Sequence, residues 1–344
     1  MRVAITGFIA QSIFGAENRF WGSRYANCGQ LQGPKFSRDG FAPQWGKMLL
    51  RDAGFYSETR PQCAVSFGSS KGYAPFCGFD DARAYETDAL QIARHGFVSS
   101  AVLCPVAACA TGAHALALGA AMISRGQYEL VLAGASEKLQ PPEILAAYRN
   151  MGALSKSGVM RPFDTRRDGF LPSFGSAILL LESEARARNR GAEIHGFLTG
   201  YSLHCDAHHM TSMCPSGDSI ARAIENALNM AGNPQIDYIN AHGTATVNDA
   251  IETRAIKSVF GTSVPISSTK PLTGHLLGAA GAIEAVICLG AMRDGFAPPT
   301  LNLEETDLEA DFVRGEARKI EIGTCLSLSY GFGGHIGVLV LEKS

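Results

Sequence analysis

Three segments of the chain carry side chains that can do chemistry. Pro105 to Gly119 reads PVAACATGAHALALG and sets a thiol, Cys109, at the entrance of an apolar helix among small neighbours. Backbone N–H groups and the positive end of the helix dipole stabilise a thiolate at such a position, and small neighbours let a bulky substrate approach. Taken alone, any one of the nine cysteines is better explained as a small buried side chain. Two further segments single Cys109 out. Asn240 to Thr246 reads NAHGTAT directly after one apolar run, and Ser268 to Ala280 reads STKPLTGHLLGAA directly after another. They place His242 and His275 at strand ends or helix starts, where α/β proteins gather their active sites. One such histidine is often a satisfied core residue; two in Gly-rich turns are less readily so explained. A last Gly-rich turn, SYGFGGHIG, joins two apolar strands. No helix follows it and it has neither a GxGxxG nor a Walker pattern, so it is not read as a phosphate loop.

The elements that must hold these residues are legible from periodicity. Val3 to Phe8, Ala64 to Phe67, Leu130 to Ala133 and Ala177 to Leu181 read as buried strands, and Asp80 to His95 and Thr111 to Ser124 as helices. The second of these helices is mostly Ala, Leu and Gly, which suits packing on every side. The ARARNRG segment then marks an internal boundary, giving a first half over residues 1–185 and a second over 186–344. The pattern repeats beyond it. Strands are expected at Ile194 to Leu203, Ile236 to Asn240, Val264 to Ser267, Thr324 to Ser329 and Ile336 to Leu341. Helices are expected at Ser219 to Met230, Asp249 to Phe260 and Leu276 to Met292. Alternation of strand and helix in both halves argues for a layered α/β architecture with much parallel sheet.

Composition removes other classes. With 344 residues, 46% hydrophobic and 18% charged, the chain is neither disordered nor fibrous, and 38 glycines suit extensive buried surface, including an oligomer interface. A net charge of -2 gives no global field toward nucleic acid or anionic lipid, so neither is expected as a partner. The opening MRVAITGFIA does not read as a signal peptide, and the apolar stretches Ala113 to Ile123 and Ala279 to Met292 are too short or interrupted to span a bilayer. Nine cysteines without a CxxC pair fit reduced thiols, hence a cytoplasmic location.

The ordered motifs resemble those of the β-ketoacyl-acyl carrier protein synthases, the condensing enzymes of fatty-acid and type II polyketide pathways. The resemblance spans nearly all of residues 100–344 and rests on ACATGAHAL around Cys109, RPFDTRRDGF from Arg161, DAHHMT from Asp206, HGTAT from His242, STKPLTGHLLGAAGAIEA around Lys270, His275 and Glu284, and GFGG at Gly331. It implies the thiolase-like fold, two similar βαβαβαββ halves in five layers (αβαβα), usually as a homodimer. It also implies decarboxylative Claisen condensation of an acyl chain on Cys109 with a malonyl group on acyl carrier protein.

By this resemblance Cys109 accepts the acyl chain, the N–H groups of Cys109 and Phe332 form an oxyanion hole, and Gly331 and Gly333 allow the close turn. His242 and His275, as neutral imidazoles, stabilise the enolate left by loss of CO2. Lys270 orients them, and Glu284 compensates its charge. Thr244 and Thr246 bond the phosphopantetheine arm, and the loop from Asp206 to Thr211 gates with Phe332. No resident cofactor or metal is implied. His204, Cys205, Asp206, His208 and His209 invite a metal reading, but they lie too close in sequence to build a tetrahedral site unaided. An acidic carrier protein would meet a basic patch; Arg161, Arg166 and Arg167, or Arg186, Arg188 and Arg190, are candidates either for that patch or for internal ion pairs. Tyr148 and Met151 are candidates for the cavity floor.

The chain also departs from the family. Cys109 lies roughly fifty residues earlier than usual, implying lost loops over the pocket. Ser173, Phe174 and Gly175 stand where a Gly, an acidic residue and a Gly are common, and His335 and Ile336 where Thr and Asn are usual. These departures motivate one alternative, an acyltransferase that loads Cys109 without condensation. Another is a non-catalytic partner subunit, against which Cys109, His242 and His275 together argue; a catalytic subunit of a heterodimeric ketosynthase stays open.

Overall fold

The computed structural model of the protein describes residues 2–12, 45–52, 62–72, 87–96 and 100–344. The chain runs through β1 (Val3–Ser12), α1 (Trp45–Asp52), β2 (Cys63–Gly68), α2 (Asp88–His95), β3 (Val102–Leu103), a 3₁₀ turn (Ala108–Ala110), α3 (Thr111–Ser124), β4 (Leu130–Glu137), α4 (Pro142–Asn150) and β5 (Gly175–Ser183). A short α5 (Glu184–Asn189) leads to β6 (Gly196–Cys205), α6 (Asp218–Ala231), β7 (Tyr238–Asn240), α7 (Asn248–Phe260), β8 (Pro265–Ser267), α8 (Lys270–Thr273), a second 3₁₀ turn (Leu277–Ala279) and α9 (Ala280–Asp294). The chain closes with β9 (Phe296–Ala297), β10 (Asp311–Phe312), β11 (Arg318–Lys319), β12 (Thr324–Gly331) and β13 (His335–Glu342).

The topology repeats itself. In the first half the strand order is β3-β2-β4-β5-β1, with β2 parallel to both β3 and β4 and β5 antiparallel to β4 and β1. The second half has β8-β7-β12-β13-β6 with the same pattern of parallel and antiparallel neighbours, and β10 extends its edge. The two sheets join where Val3 to Ile5 of β1 pair with Gly196 to Leu198 of β6. One large core cluster holds α3 and α9 together with side chains from both sheets. The outer faces are covered by α1 and α2 in the first half and by α6 and α7 in the second. The result is the five-layered αβαβα arrangement of the thiolase-like fold.

Each layer follows from its sequence. Helix α3 buries residues on all sides, including Ala113, Leu116, Ala117 and Ala120, because it lies between two sheets. Helix α6 buries only Ile220, Ala223, Ile224, Ala227 and Leu228, the stripe expected of an outer helix. Both of its ends are set by left-handed glycines, Gly217 and Gly232.

Several boundaries differ from expectation. Of the helix expected over 80–95, α2 covers Asp88–His95, and residues 80–86 lie outside the described residues. The helix expected from Leu276 begins as α9 at Ala280, because Leu277–Ala279 takes up a 3₁₀ turn. The charged segment read as a boundary is itself helical, with the Ser183 side chain capping α5. Helix α4, opened by two prolines, was not expected at all. The region where lost loops were inferred falls largely outside the described residues.

Candidate functional site

The 3₁₀ turn that precedes α3 places Cys109 in its middle. Ala108 takes a positive φ of 46°, an unusual conformation for a residue with a Cβ, and the turn swings Cys109 to the mouth of the helix. Thr111 holds this turn: its hydroxyl donates to the Ala108 carbonyl at 2.8 Å and accepts from the Ala107 N–H at 2.9 Å. The end of β12 lies directly over it. A Cβ on Gly331 would stand 2.6 Å from the Ala107 carbonyl oxygen and 3.0 Å from the Cys109 nitrogen, so glycine is required for this approach.

Cys109, His242 and His275 line one open cleft of about 290 Å³, together with Thr211, Thr244, Thr246, Gly331 and Phe332. The two imidazoles meet edge to face with centroids 5.5 Å apart. Phe170 packs on His275 at 4.9 Å and Tyr330 on His242 at 5.2 Å, so each ring is held by an aromatic neighbour. Thr244 and Thr246 hydrogen-bond one another at 3.0 Å on the cleft wall.

Below the histidines lies a buried ion pair. Lys270 Nζ donates to Glu284 Oε1 and to the His242 carbonyl oxygen, both at 2.5 Å, with neither side chain more than 3% exposed. Lys270 and Glu284 do not reach the cleft surface; they act on it from beneath. The HGTAT loop is tied from behind by two carboxylates of α7. Glu252 accepts from the N–H groups of His242 and Gly243 at 2.7 and 2.9 Å. Asp249 accepts from Thr244, Ala245 and Phe163 at 3.0, 3.1 and 2.8 Å. These two residues were missed in the sequence, although acidic side chains three apart near the start of a helix after a Gly-rich loop are a legible sign.

The electrostatics follow from burial and charge. Burial holds both His242 and His275 well below the ordinary imidazole value, with Lys270 adding to the effect, so both rings are neutral near pH 7. Burial also pushes the Cys109 thiol up to about 12; Lys71 and Lys270 oppose this, Lys71 more strongly. Burial raises Glu252 to about 8 against the pull of its two N–H donors.

The expected gating loop is only partly on the cleft. Thr211 lines it, but Asp206 does not: its carboxylate accepts from the N–H groups of His208 and Cys214 at 3.1 and 3.0 Å and so folds its own loop. A short acidic side chain at the start of a tight turn is satisfied locally before it can reach a ligand. The same loop is bonded to the GFGG turn, Asp206 N–H to Gly334 O at 2.9 Å and Gly333 N–H to Met210 O at 2.8 Å. Gly333 thus joins the two loops without lining the cleft itself.

The run His204 to His209 has a similar local explanation, since His209 Nδ1 accepts from the N–H groups of Thr211 and Ser212. Among the described residues no group of three or more His, Cys, Asp or Glu side chains could hold a metal ion. Five of the arginines considered for a basic patch are spent on ion pairs. Arg166 pairs with Asp164 and Glu304, Arg167 with Asp307, Arg186 and Arg190 with Glu182, and Arg188 with Glu184. Arg161 donates to the Ser157 hydroxyl. Tyr148 is buried in the apolar cluster that includes Cys109 and Phe332, whereas Met151 is an exposed residue of the cleft rim. Ser173, at the site of a sequence departure, backs the cleft: its N–H donates to the His275 carbonyl at 2.9 Å, and the His275 N–H donates to the Leu171 carbonyl at 2.8 Å.

The layered, internally repeated α/β fold, with a thiol at one central helix mouth and two neutral imidazoles on the same cleft, is that of the thiolase-like proteins. The chain matches the family models for the β-ketoacyl synthase N-terminal domain over residues 44–187 and for the β-ketoacyl synthase C-terminal domain over residues 195–304. It is 42% identical over 253 residues to the 3-oxoacyl-[acyl-carrier-protein] synthase 2 of Synechocystis, covering 70% of this chain and 61% of that protein. The chain therefore spans about three fifths of the length of that relative.

Among solved structures it resembles the ishigamide ketosynthase/chain length factor (TM-score 0.86, 30% identity, 100% of this chain and 99% of the other). It also resembles a type II polyketide acyl carrier protein in complex with its ketosynthase bound to the hexaketide (TM-score 0.88, 28% identity, 100% and 99%). The chain belongs to the β-ketoacyl synthase family. Among the described residues no helix is long and apolar enough to cross a membrane.

Proposed function

We propose that the protein is a β-ketoacyl-acyl carrier protein synthase that condenses an acyl chain on Cys109 with malonyl-acyl carrier protein to give a 3-oxoacyl product, in specialised fatty-acid or polyketide synthesis. The observation that carries this reading is the convergence of Cys109, His242 and His275 on one cleft above the Lys270–Glu284 pair.

In the first half-reaction the Cys109 thiolate attacks the acyl thioester carbon, and the proton that Cys109 gives up ends on the leaving phosphopantetheine sulfur. The negative oxygen is received by the N–H groups of Cys109 and Phe332, and the phosphopantetheine thiol leaves. In the second, a malonyl thioester lies along Thr244 and Thr246 with its carbonyl oxygen toward His242 and His275. Its C–C bond to the carboxylate breaks, CO2 departs, and the electron pair forms an enolate that the neutral imidazoles stabilise. The enolate carbon bonds to the acyl carbonyl carbon, and Cys109 is expelled as thiolate. Charged imidazolium rings would also stabilise an enolate, but burial and Lys270 keep these neutral, so they act as hydrogen-bond donors. These steps use no resident cofactor; the phosphopantetheine belongs to the carrier.

The loop from Asp206 to Thr211 moves with Phe332 in this reading, because the bonds from Asp206 to Gly334 and from Gly333 to Met210 couple them. The chain pairs with a second chain of the same fold, a copy of itself or a related subunit as in the ishigamide ketosynthase/chain length factor. The surface we assign to this contact is the edge strand β3 and the segment that follows it, with exposed Leu103 and Val106. A cytoplasmic location fits the seven cysteines of the described residues, which are free thiols.

The test is to mix the protein with an acyl carrier protein bearing a medium-chain acyl group, add malonyl carrier protein, and follow all species by intact-mass spectrometry. The reading expects a 3-oxoacyl carrier protein longer by two carbons, absent with Cys109→Ala. Acylation of Cys109 with no loss of CO2 would replace it with the acyltransferase reading, or with an incomplete half of a synthase.

A further inference from the structure

A second ion pair lies beside the nucleophile, and the condensation mechanism makes no use of it. Lys71 Nζ stands 3.6 Å from Glu137 Oε1, donates to the Ser70 hydroxyl at 2.7 Å, and lies 5.7 Å from the centre of the Tyr148 ring. Tyr148 belongs to the same apolar cluster as Cys109. The segment carrying Lys71 is pressed against the nucleophile turn: a Cβ on Gly68 would stand 2.1 Å from the Pro105 carbonyl oxygen and 2.6 Å from Thr111 Cγ2. Backbone packing therefore fixes the segment that carries Lys71 beside the turn that holds Cys109, and the bonds to Ser70 and Glu137 direct its ammonium.

Glu137 is fixed as firmly. It ends β4 nearly buried, and its Oε2 accepts from the N–H groups of Ser70 and Gly278 at 3.1 and 3.0 Å, while Oε1 accepts from Gln140 at 2.8 Å. Gly278 is the middle residue of the 3₁₀ turn before α9, the place Cys109 holds before α3, and Leu277 before it has the same φ of 46° as Ala108. The fold repeat thus offers two equivalent N–H groups at two helix mouths. In the second half a carboxylate fills the place; in the first, the position is left for the reacting group. The Lys71–Glu137 pair of the first half has a counterpart in the Lys270–Glu284 pair of the second.

We infer that the Lys71–Glu137 pair sets the reactivity of Cys109 through space, Lys71 favouring the thiolate and Glu137 opposing it. Lys71 is a positioning residue in this scheme: it holds a charge near the sulfur without touching substrate. The groups that face Cys109 are Lys71 and Glu137 from one half, Lys270 and Glu284 from the other, the His242 and His275 rings, and the Tyr148 phenol. His242 and His275 are neutral, and burial keeps the phenol protonated, so only the two pairs supply charge. Of the four charges Lys71 acts most strongly on Cys109, with Glu137 next and of opposite sign. The inference rests on Cys109 being the reactive thiol of the proposed function, but its test does not require condensation.

The experiment measures the rate of Cys109 alkylation by iodoacetamide as a function of pH, read on the Cys109 peptide so that exposed Cys104 and Cys205 do not contribute. In Lys71→Met the pH profile should move to higher pH and the rate at about pH 7.5 should fall roughly threefold or more, the size expected for one charge partly offset by its partner. In Glu137→Gln, which keeps an acceptor for the Ser70 and Gly278 N–H groups, the profile should move to lower pH. Lys71→Arg should restore the original profile. An unmoved profile in Lys71→Met, or a shift of both variants in one direction as general loosening would produce, overturns the inference. If the wild type fails to condense while the profiles move oppositely, the proposed reaction fails and the inference stands.

Discussion

Gly112 and Gly281 are reciprocal partners at the crossing of the two central helices. A Cβ on Gly112 would stand 2.6 Å from the Ala282 nitrogen, and one on Gly281 would stand 2.9 Å from the Ala113 nitrogen. Each helix therefore presents a glycine to the other's main chain in its first turn, next to the 3₁₀ turn that carries Cys109 in α3 and Gly278 in α9. The distance between the two helix mouths is set by the absence of two methyl groups.

A methyl at this crossing has nowhere to go, since backbone cannot yield as a side chain does. Gly112→Ala is expected to cost roughly 1–3 kcal/mol, the usual range for overpacking. It should also lower condensation more than it lowers stability, because Cys109 moves with α3. Thermal unfolding and the intact-mass assay on the same sample separate the two effects. A variant as stable and active as wild type would show that the helices part freely.

The buried Lys270–Glu284 pair gives a test of structure against function. Glu284→Leu strands a buried ammonium and should cost about 3–5 kcal/mol. The double variant Lys270→Met/Glu284→Leu removes both charges and should recover most of that loss, while condensation stays low because the His242 carbonyl has lost its donor. Chemical denaturation of the three proteins measures the recovery. Equal stability of the single and double variants would mean that the pair contributes no buried charge.

The Asp249 carboxylate accepts three buried N–H groups, from Phe163, Thr244 and Ala245. Asp249→Ala leaves them without an acceptor, at roughly 1–3 kcal/mol for each group left unsatisfied. Since Thr244 carries the proposed pantetheine contact, KM for malonyl carrier protein should rise more than kcat falls. Steady-state kinetics with the carrier substrate, set beside a denaturation curve, checks both.

The central features were legible because they are written in local terms. Helix α3 matched Thr111–Ser124 because its Ala, Leu and Gly content admits only a helix buried on every side, and His242 and His275 were exposed to view by the glycine turns around them. The misses arose where partners come from distant parts of the chain. Glu137 and Lys71 have no shared motif; their relation exists only because β2 and β4 are neighbours and Gly278 arrives from the other half. Asp206 looked like a ligand-facing residue, yet its own loop's N–H groups claim it first. Of the two readings left open for the arginines, ion pairing holds for Arg166 and Arg167, but with Glu304 and Asp307, partners that sequence spacing does not reveal.

The two neutral histidines give a pH signature whose sign is fixed. Burial, with Lys270 behind it, depresses both rings below their ordinary value of 6.5. The unfolded chain therefore binds protons on these rings as pH falls through 6.5, while the native protein does not until lower pH. Their contribution to stability is fully present above that value and is lost as pH falls below it. Glu252, raised to about 8, works in the opposite sense between the ordinary carboxylate range and that value, so wild-type stability alone does not isolate the histidines.

Comparison with His242→Asn/His275→Asn cancels the Glu252 contribution. The stability difference, wild type minus double variant, should shrink between about pH 7 and pH 5 by an amount that reflects both rings. In Lys270→Met the rings lose a nearby positive charge and should titrate at higher pH, moving the acidic limb of the condensation rate upward. Histidine NMR titration of wild type and Lys270→Met reads this directly. Rings that titrate near 6.5 in the wild type would remove the electrostatic basis for treating them as neutral donors.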